Sequence, residues 1–107
     1  MAETQDITLP VLAAVSQLPG ACFWRQNCGT FRTLDGKRII RATSIKGVPD
    51  IGGHYYGRAV QIETKTKDGC LNKNQKNFCA RWTADGGIYL IAHSPEDATK
   101  QLRDIQP

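Results

Sequence analysis

The stretch GVPDIGGHYYGRAVQIETKTK, residues 47–67, constrains this chain more than any other. It carries two strand-like runs, 48–53 and 58–66, either side of a turn at Tyr56-Gly57, where glycine supplies the positive φ that tight turns need. Paired antiparallel, Tyr55 faces Arg58, and counting outward brings Asp50 directly opposite Glu63. Cross-strand Cβ atoms lie about 4.5–5.5 Å apart. A slip of one residue would send the two acids to different faces. Within 58–66, alternation puts Val60, Ile62, Thr64 and Thr66 on one face and Gln61, Glu63 and Lys65 on the other.

Two carboxylates so close repel each other unless something positive lies between them. The arrangement is unfavourable as structure alone and suits a divalent cation. Oxygen ligands favour hard ions, so Mg²⁺ or Mn²⁺ is the expected cofactor, with no organic cofactor. Mg²⁺ is typically held by one or two carboxylates plus substrate phosphate and keeps several waters. Lys65, roughly 6.6 Å along the strand from Glu63, could orient such a water or stabilise charge on the phosphate. The set describes metal-assisted phosphodiester hydrolysis. Its plain structural rival is a Pro49-Asp50 turn and a solvated strand face with a surface ion pair worth little.

The rest of the chain supplies one small α/β domain over residues 1–107. Residues 9–18 read as a helix with Thr8 as N-cap, Pro10 in the first turn and Pro19-Gly20 as the stop. A strand follows at 21–26, then a hairpin over 29–42 turning at Asp35-Gly36. Asn72 caps a helix to about 84, and 88–93 is an apolar strand. Ser94-Pro95-Glu96-Asp97 starts a last helix running to about 104. The fold class expected is α/β, a central mixed β-sheet flanked by helices. The crossover from 58–66 through 72–84 to 88–93 makes those two strands parallel. Phe78, Trp82 and Leu102 read as core.

Charge narrows the partners. The net charge is +4, and between positions 25 and 46 Arg25, Arg32, Lys37, Arg38, Arg41 and Lys46 face a single acid, Asp35. Such a stretch suits a polyanion. Cys22, Cys28, Cys70 and Cys79 form no CxxC pair, and His54 and His93 lie far apart, so zinc has little to bind. The thiols read as small, half-buried groups in a reducing compartment. No apolar run is long enough to span a membrane, and Met1-Ala2-Glu3 does not open like a secretory signal. A cytoplasmic protein is expected.

Pro49-Asp50 followed by Glu63-Thr64-Lys65 resembles the PD-(D/E)xK nuclease pattern. More narrowly, KGVPDI, VQIETKTKDGCLNKNQKNF and GGIYLIAHSPEDA resemble the VRR-NUC branch of that superfamily, over roughly residues 24–102. The resemblance implies a restriction-endonuclease-like fold, with Asp50, Glu63 and the Thr64 carbonyl as metal ligands. Lys65 becomes the catalytic lysine, and Gln75 matches a glutamine near the site. The family also tends to carry an acid on the first helix, for which Glu3 and Asp6 are the candidates. Stand-alone VRR-NUC domains are similar to Holliday-junction resolvases, which work as homodimers. Two symmetric cuts in a four-way junction need two sites, which a two-fold dimer provides. Small nucleases of this type are often phage-encoded and act in the host cell.

The expected function is thus a divalent-metal-dependent, structure-selective DNA endonuclease, resolvase-like, with branched DNA as partner. The alternatives are a flap or nicking nuclease in repair or restriction, a non-catalytic DNA-binding module or, more distantly, an enzyme of RNA. Individual residues also have two readings. Gln75 stands at capping-box spacing from Asn72. Arg25 is either a DNA contact or a structural partner of an acid. Lys67, Lys73 and Lys76 either contact phosphate or solvate their segments, and Lys46 belongs to the basic stretch. Tyr55 and Tyr56 either stack on bases or sit half-exposed at a hairpin tip.

Overall fold

A computed structural model describes residues 7–26, 30–41 and 45–105. Strands β1 (Ala21–Arg25), β4 (Ile51–Tyr55), β5 (Arg58–Thr64) and β6 (Ile88–Ala92) form a mixed sheet in the order β1-β4-β5-β6. β2 (Thr30–Arg32) and β3 (Ile39–Arg41) make a separate hairpin. The helices are α1 (Thr8–Ser16), α2 (Lys73–Ala84) and α3 (Pro95–Arg103). Among the described residues no helix is long and apolar enough to cross a membrane.

The expected β4–β5 register is present, with Tyr55 opposite Arg58 and Ile51 opposite Ile62. The turn between them has φ of 50° at Tyr56 and 80° at Gly57. Both central residues therefore have positive φ, as a type I′ hairpin turn demands. β5 and β6 run parallel with Val60 opposite Ile88 and Thr64 opposite Ala92, as the crossover predicts. In the small hairpin, Asp35 accepts from the Thr33 hydroxyl at 2.6 Å and from the Lys37 amide at 2.9 Å. Those two bonds favour its charged form and hold its carboxyl below the usual range.

One face of the sheet buries Ile51, Tyr55, Val60, Ile62, Leu90 and Ala92 against Val11 and Val15 of α1 and Ala98 and Leu102 of α3. α3 begins as its sequence dictates: Ser94 accepts from the Asp97 amide, with Pro95 at the first position. The opposite face is polar and lies under α2, which buries none of its own residues fully.

Several expectations need correction. Thr8 does not cap α1. It is the helix's first residue, 3% exposed, and its hydroxyl turns inward to Thr64. Phe78 and Trp82 are half-buried on α2 rather than core, because α2 covers a polar sheet face, whereas Leu102 is fully buried. Tyr55 is a core residue, which removes it as a base-stacking group, while Tyr56 is 48% exposed. The strand expected at 58–66 ends at Thr64, and the one expected at 48–53 begins at Ile51. Glu3, Asp6 and Cys28 lie outside the described residues, as do the side chains of Arg32 and Arg41. Cys22, Cys70 and Cys79 are free thiols, the first two exposed rather than half-buried.

Candidate active site

The site lies where three strands end together. Extending the β1–β4 and β4–β5 registers by one residue sets Gln26, Asp50 and Glu63 in a row. Gln26 confirms its place, since its amide donates to the Asp50 carbonyl at 2.8 Å. Glu63 follows a strictly alternating strand, yet Gln61, at 8%, and Glu63, at 4%, are as buried as their apolar neighbours. Glu63 is not a residue of a solvated face.

Asp50 sits just before β4, so its carboxylate can reach around the strand end. Its Oδ2 accepts from the Thr64 amide at 3.1 Å and from the Thr64 hydroxyl at 2.7 Å. Thr8 and Thr64 hydroxyls are 2.8 Å apart. Thr64 has one hydroxyl proton and gives it to Asp50, so Thr8 is the donor to Thr64. A chain of hydrogen bonds therefore runs from the start of α1 through β5 to Asp50 and fixes one of its two oxygens.

Glu63 is held from the other side. Gln75 Nε2 donates to Glu63 Oε2 at 3.1 Å, while Gln75 Oε1 accepts from the Asn72 amide at 2.9 Å. The Asn72 side chain in turn accepts from the Gln75 amide at 2.9 Å. Gln75 therefore makes two contacts at once: its carbonyl end closes the capping box and its amide end binds the Glu63 carboxylate. Lys65 Nζ is 3.9 Å from the same Glu63 oxygen. The Lys65 backbone is anchored by its amide on Ala92 O at 3.0 Å. His93 Nδ1 lies 3.2 Å from Lys65 O and 3.0 Å from Thr66 O. Both neighbours are carbonyls, which only accept, so Nδ1 carries the proton and His93 braces this turn.

Glu63 Oε1 is buried without a hydrogen-bond partner. Burial and the adjoining Asp50 carboxyl outweigh Lys65 and push Glu63 up to about 8. The Tyr89 hydroxyl, on the neighbouring strand and the same face, is likewise buried and unpartnered. Burial and the charge of Glu63 raise its pKa further above the ordinary range.

An orphaned carboxylate oxygen beside a second, oriented carboxylate fits a hard divalent cation. Asp50 and Glu63 could hold it, with the Thr64 carbonyl at the same strand end. Among the described residues no cluster of three or more His, Cys, Asp or Glu side chains is present. The remaining coordination would fall to the backbone, water and substrate oxygens, as Mg²⁺ accepts.

Sequence reasoning missed Gln26, Thr8 and Tyr89. Gln26 Nε2 donates to Pro49 O at 3.0 Å and to Gln61 Oε1 at 2.8 Å, tying the Asp50 segment to β5. A Cβ on Gly52 would lie 2.5 Å from Gln26 Oε1, so the glycine makes room for this side chain. Pairing 21–26 with the strand after Pro49 in register would have revealed it. Arg25, Lys46, Lys67, Lys73 and Lys76 are all exposed. Lys73 and Lys76 share α2 with Gln75, Lys67 follows β5, and Arg25 ends the edge strand β1. Comparison of the chain with family models, with curated proteins and with solved structures yields no match.

Proposed function

We propose that this chain is a Mg²⁺- or Mn²⁺-dependent DNA endonuclease of the VRR-NUC type, with a restriction-endonuclease-like arrangement of its α/β fold. The observation that carries the reading is Glu63: a buried carboxylate with a free oxygen, set beside Asp50 with Lys65 Nζ 3.9 Å away. As structure alone such a group is destabilising, and a divalent cation removes the cost.

Bound between Asp50, Glu63 and the Thr64 carbonyl, the ion would supply Lewis-acid activation of a phosphodiester and its attacking water. The chain's own residues do the remaining work. Thr64, backed by Thr8, holds Asp50 Oδ2. Gln75 orients Glu63 and leaves Oε1 available. Lys65 positions water or stabilises charge gathering on the phosphate. Arg25, Lys46, Lys67, Lys73 and Lys76 would bind backbone phosphates, which makes affinity strongly salt-dependent and largely indifferent to sequence. One chain offers one such site, so paired cuts in a branched substrate call for a homodimer.

The test is cleavage of synthetic four-way junctions, flaps and plain duplexes with Mg²⁺ or Mn²⁺, comparing the wild type with Asp50→Asn. Metal-dependent cutting of junctions by the wild type alone is expected. Preferential cutting of flaps or nicking of duplexes would reassign the substrate. Binding without cutting in any metal would leave a DNA-binding module and refute the enzyme.

A further inference from the structure

The helix that delivers Gln75 to Glu63 carries a second feature on its later turns. A cavity of about 290 Å³ is walled by Ile45, Phe78, Arg81, Trp82 and Asp85. Phe78 and Trp82 stand one turn apart on α2 with ring centroids 5.7 Å apart and planes 15° from parallel. The indole is locked, because Trp82 Nε1 donates to Ile88 O at 2.9 Å. Ile45, 59% exposed, contributes a further apolar side chain to the lining. Its loop is pressed onto α2 at Gly47, where a Cβ would lie 2.2 Å from Asn74 O.

We propose that this slot receives one unpaired nucleobase of a DNA strand whose backbone lies across the carboxylate site, which makes locally unpaired DNA the preferred substrate. The inference rests on the nuclease reading and deepens it. Four features select the occupant. The walls are flat and apolar, which suits a ring that stacks whatever its sequence. Exposed Arg81 and Asp85 at the rim offer a donor fork and an acceptor to the polar edge of a base. The twelve residues of α2 include Lys73, Lys76 and Arg81 and no acid, so the surroundings attract a polyanion. Lastly, Phe78 and Trp82 lie three and seven residues beyond Gln75, about 4.5 and 10.5 Å along the helix. A base there belongs to a nucleotide close to the phosphate at Glu63. An apolar peptide side chain would fill the slot too, but would leave the basic helix and charged rim without partners.

The test uses binding in EDTA, so that no strand is cut. Two duplexes are compared, one with a three-nucleotide single-stranded gap and one whose gap nucleotides are abasic. The wild type is expected to bind the base-bearing gap about tenfold more tightly, the order expected for one stacked base. Phe78→Leu, which keeps an apolar side chain against Trp82, should abolish that preference and leave abasic binding unchanged. Arg81→Ala, at an exposed position, should reduce it and serves if Phe78→Leu does not fold. Equal wild-type affinity for both duplexes overturns the inference, as does a preference that survives both variants. A preference without metal-dependent cutting would keep the base slot and refute the nuclease. Cutting without a preference would do the reverse, and no binding to either duplex would refute both.

Discussion

Replacing Glu63 with glutamine should make the metal-free protein more stable at neutral pH, an outcome opposite to the usual loss at a buried polar position. Glu63 ionises at about 8 in the folded chain, against an ordinary value of 4.5. Below pH 4.5 both folded and unfolded states hold the proton and nothing is lost. Above 4.5 the unfolded chain releases its proton first, so rising pH favours unfolding until the folded form also ionises near 8. Each pH unit in that window is worth about 1.4 kcal/mol, so the wild type should lose about 3 kcal/mol between pH 4.5 and 7. That is a large part of the 5–15 kcal/mol typical of small domains. Glu63→Gln keeps the shape and removes the titration. Urea melts in EDTA at half-unit steps from pH 4.5 to 8.5 should show the difference between variant and wild type growing by about 3 kcal/mol by pH 7. Saturating Mg²⁺ at pH 8 should then stabilise the wild type, by about 2.7 kcal/mol at a hundredfold excess over Kd, and the variant far less. A difference that stays flat from pH 5 to 8, or a variant less stable than wild type at pH 8 without metal, would refute the claim that burial beside Asp50 governs Glu63.

Thr64→Val removes a 2.7 Å donor to Asp50 and the hydroxyl that Thr8 contacts; it should cost about 1–3 kcal/mol in denaturant melts and weaken metal binding, read by calorimetry, about tenfold or more. Thr8→Val should show the same metal defect in milder form, with Thr8→Ser restoring it. Asn72→Ala should lose only the helix cap, about 1 kcal/mol, with cleavage per folded molecule unchanged, whereas Gln75→Ala should lose similar stability and also slow cleavage, because of these two side chains it is Gln75 that donates to Glu63.

Much of the fold is local chemistry, and those parts were legible. Gly57 in a two-residue turn sets the β4–β5 register, and that register alone places Asp50 against Glu63. The Asn72–Gln75 capping box and Ser94-Pro95 start their helices wherever the chain goes. What could not be read depends on long-range pairing. Nothing local says that β1 joins β4 rather than β6, so Gln26 had no visible partner. Thr8 lies 56 residues from Thr64, and its N-cap pattern pointed to a competing local role that tertiary contact overrode. Phe78 and Trp82 look like core by composition. They are not, because the sheet face beneath them is occupied by Gln61, Glu63 and Tyr89.

That polar face explains why the domain tolerates an acid that Lys65 only partly compensates. The apolar face, closed by α1 and α3, carries the fully buried aliphatic side chains and supplies stability without help from α2. The opposite face is left to hold groups that stability alone would discard: a carboxylate with a bare oxygen, a phenol with no acceptor, and a helix that buries none of its own residues fully. Gln75 couples the two halves of that face, since the same side chain starts α2 and grips Glu63. Anything that pulls Glu63 toward an ion is therefore felt at the first turn of α2. Local conflicts of this kind, offset elsewhere in the fold, mark sites kept for function. Amide exchange at α2's first turn should slow when Mg²⁺ binds and should not slow in Glu63→Gln. Equal slowing in both proteins would break the link between the acid and the helix.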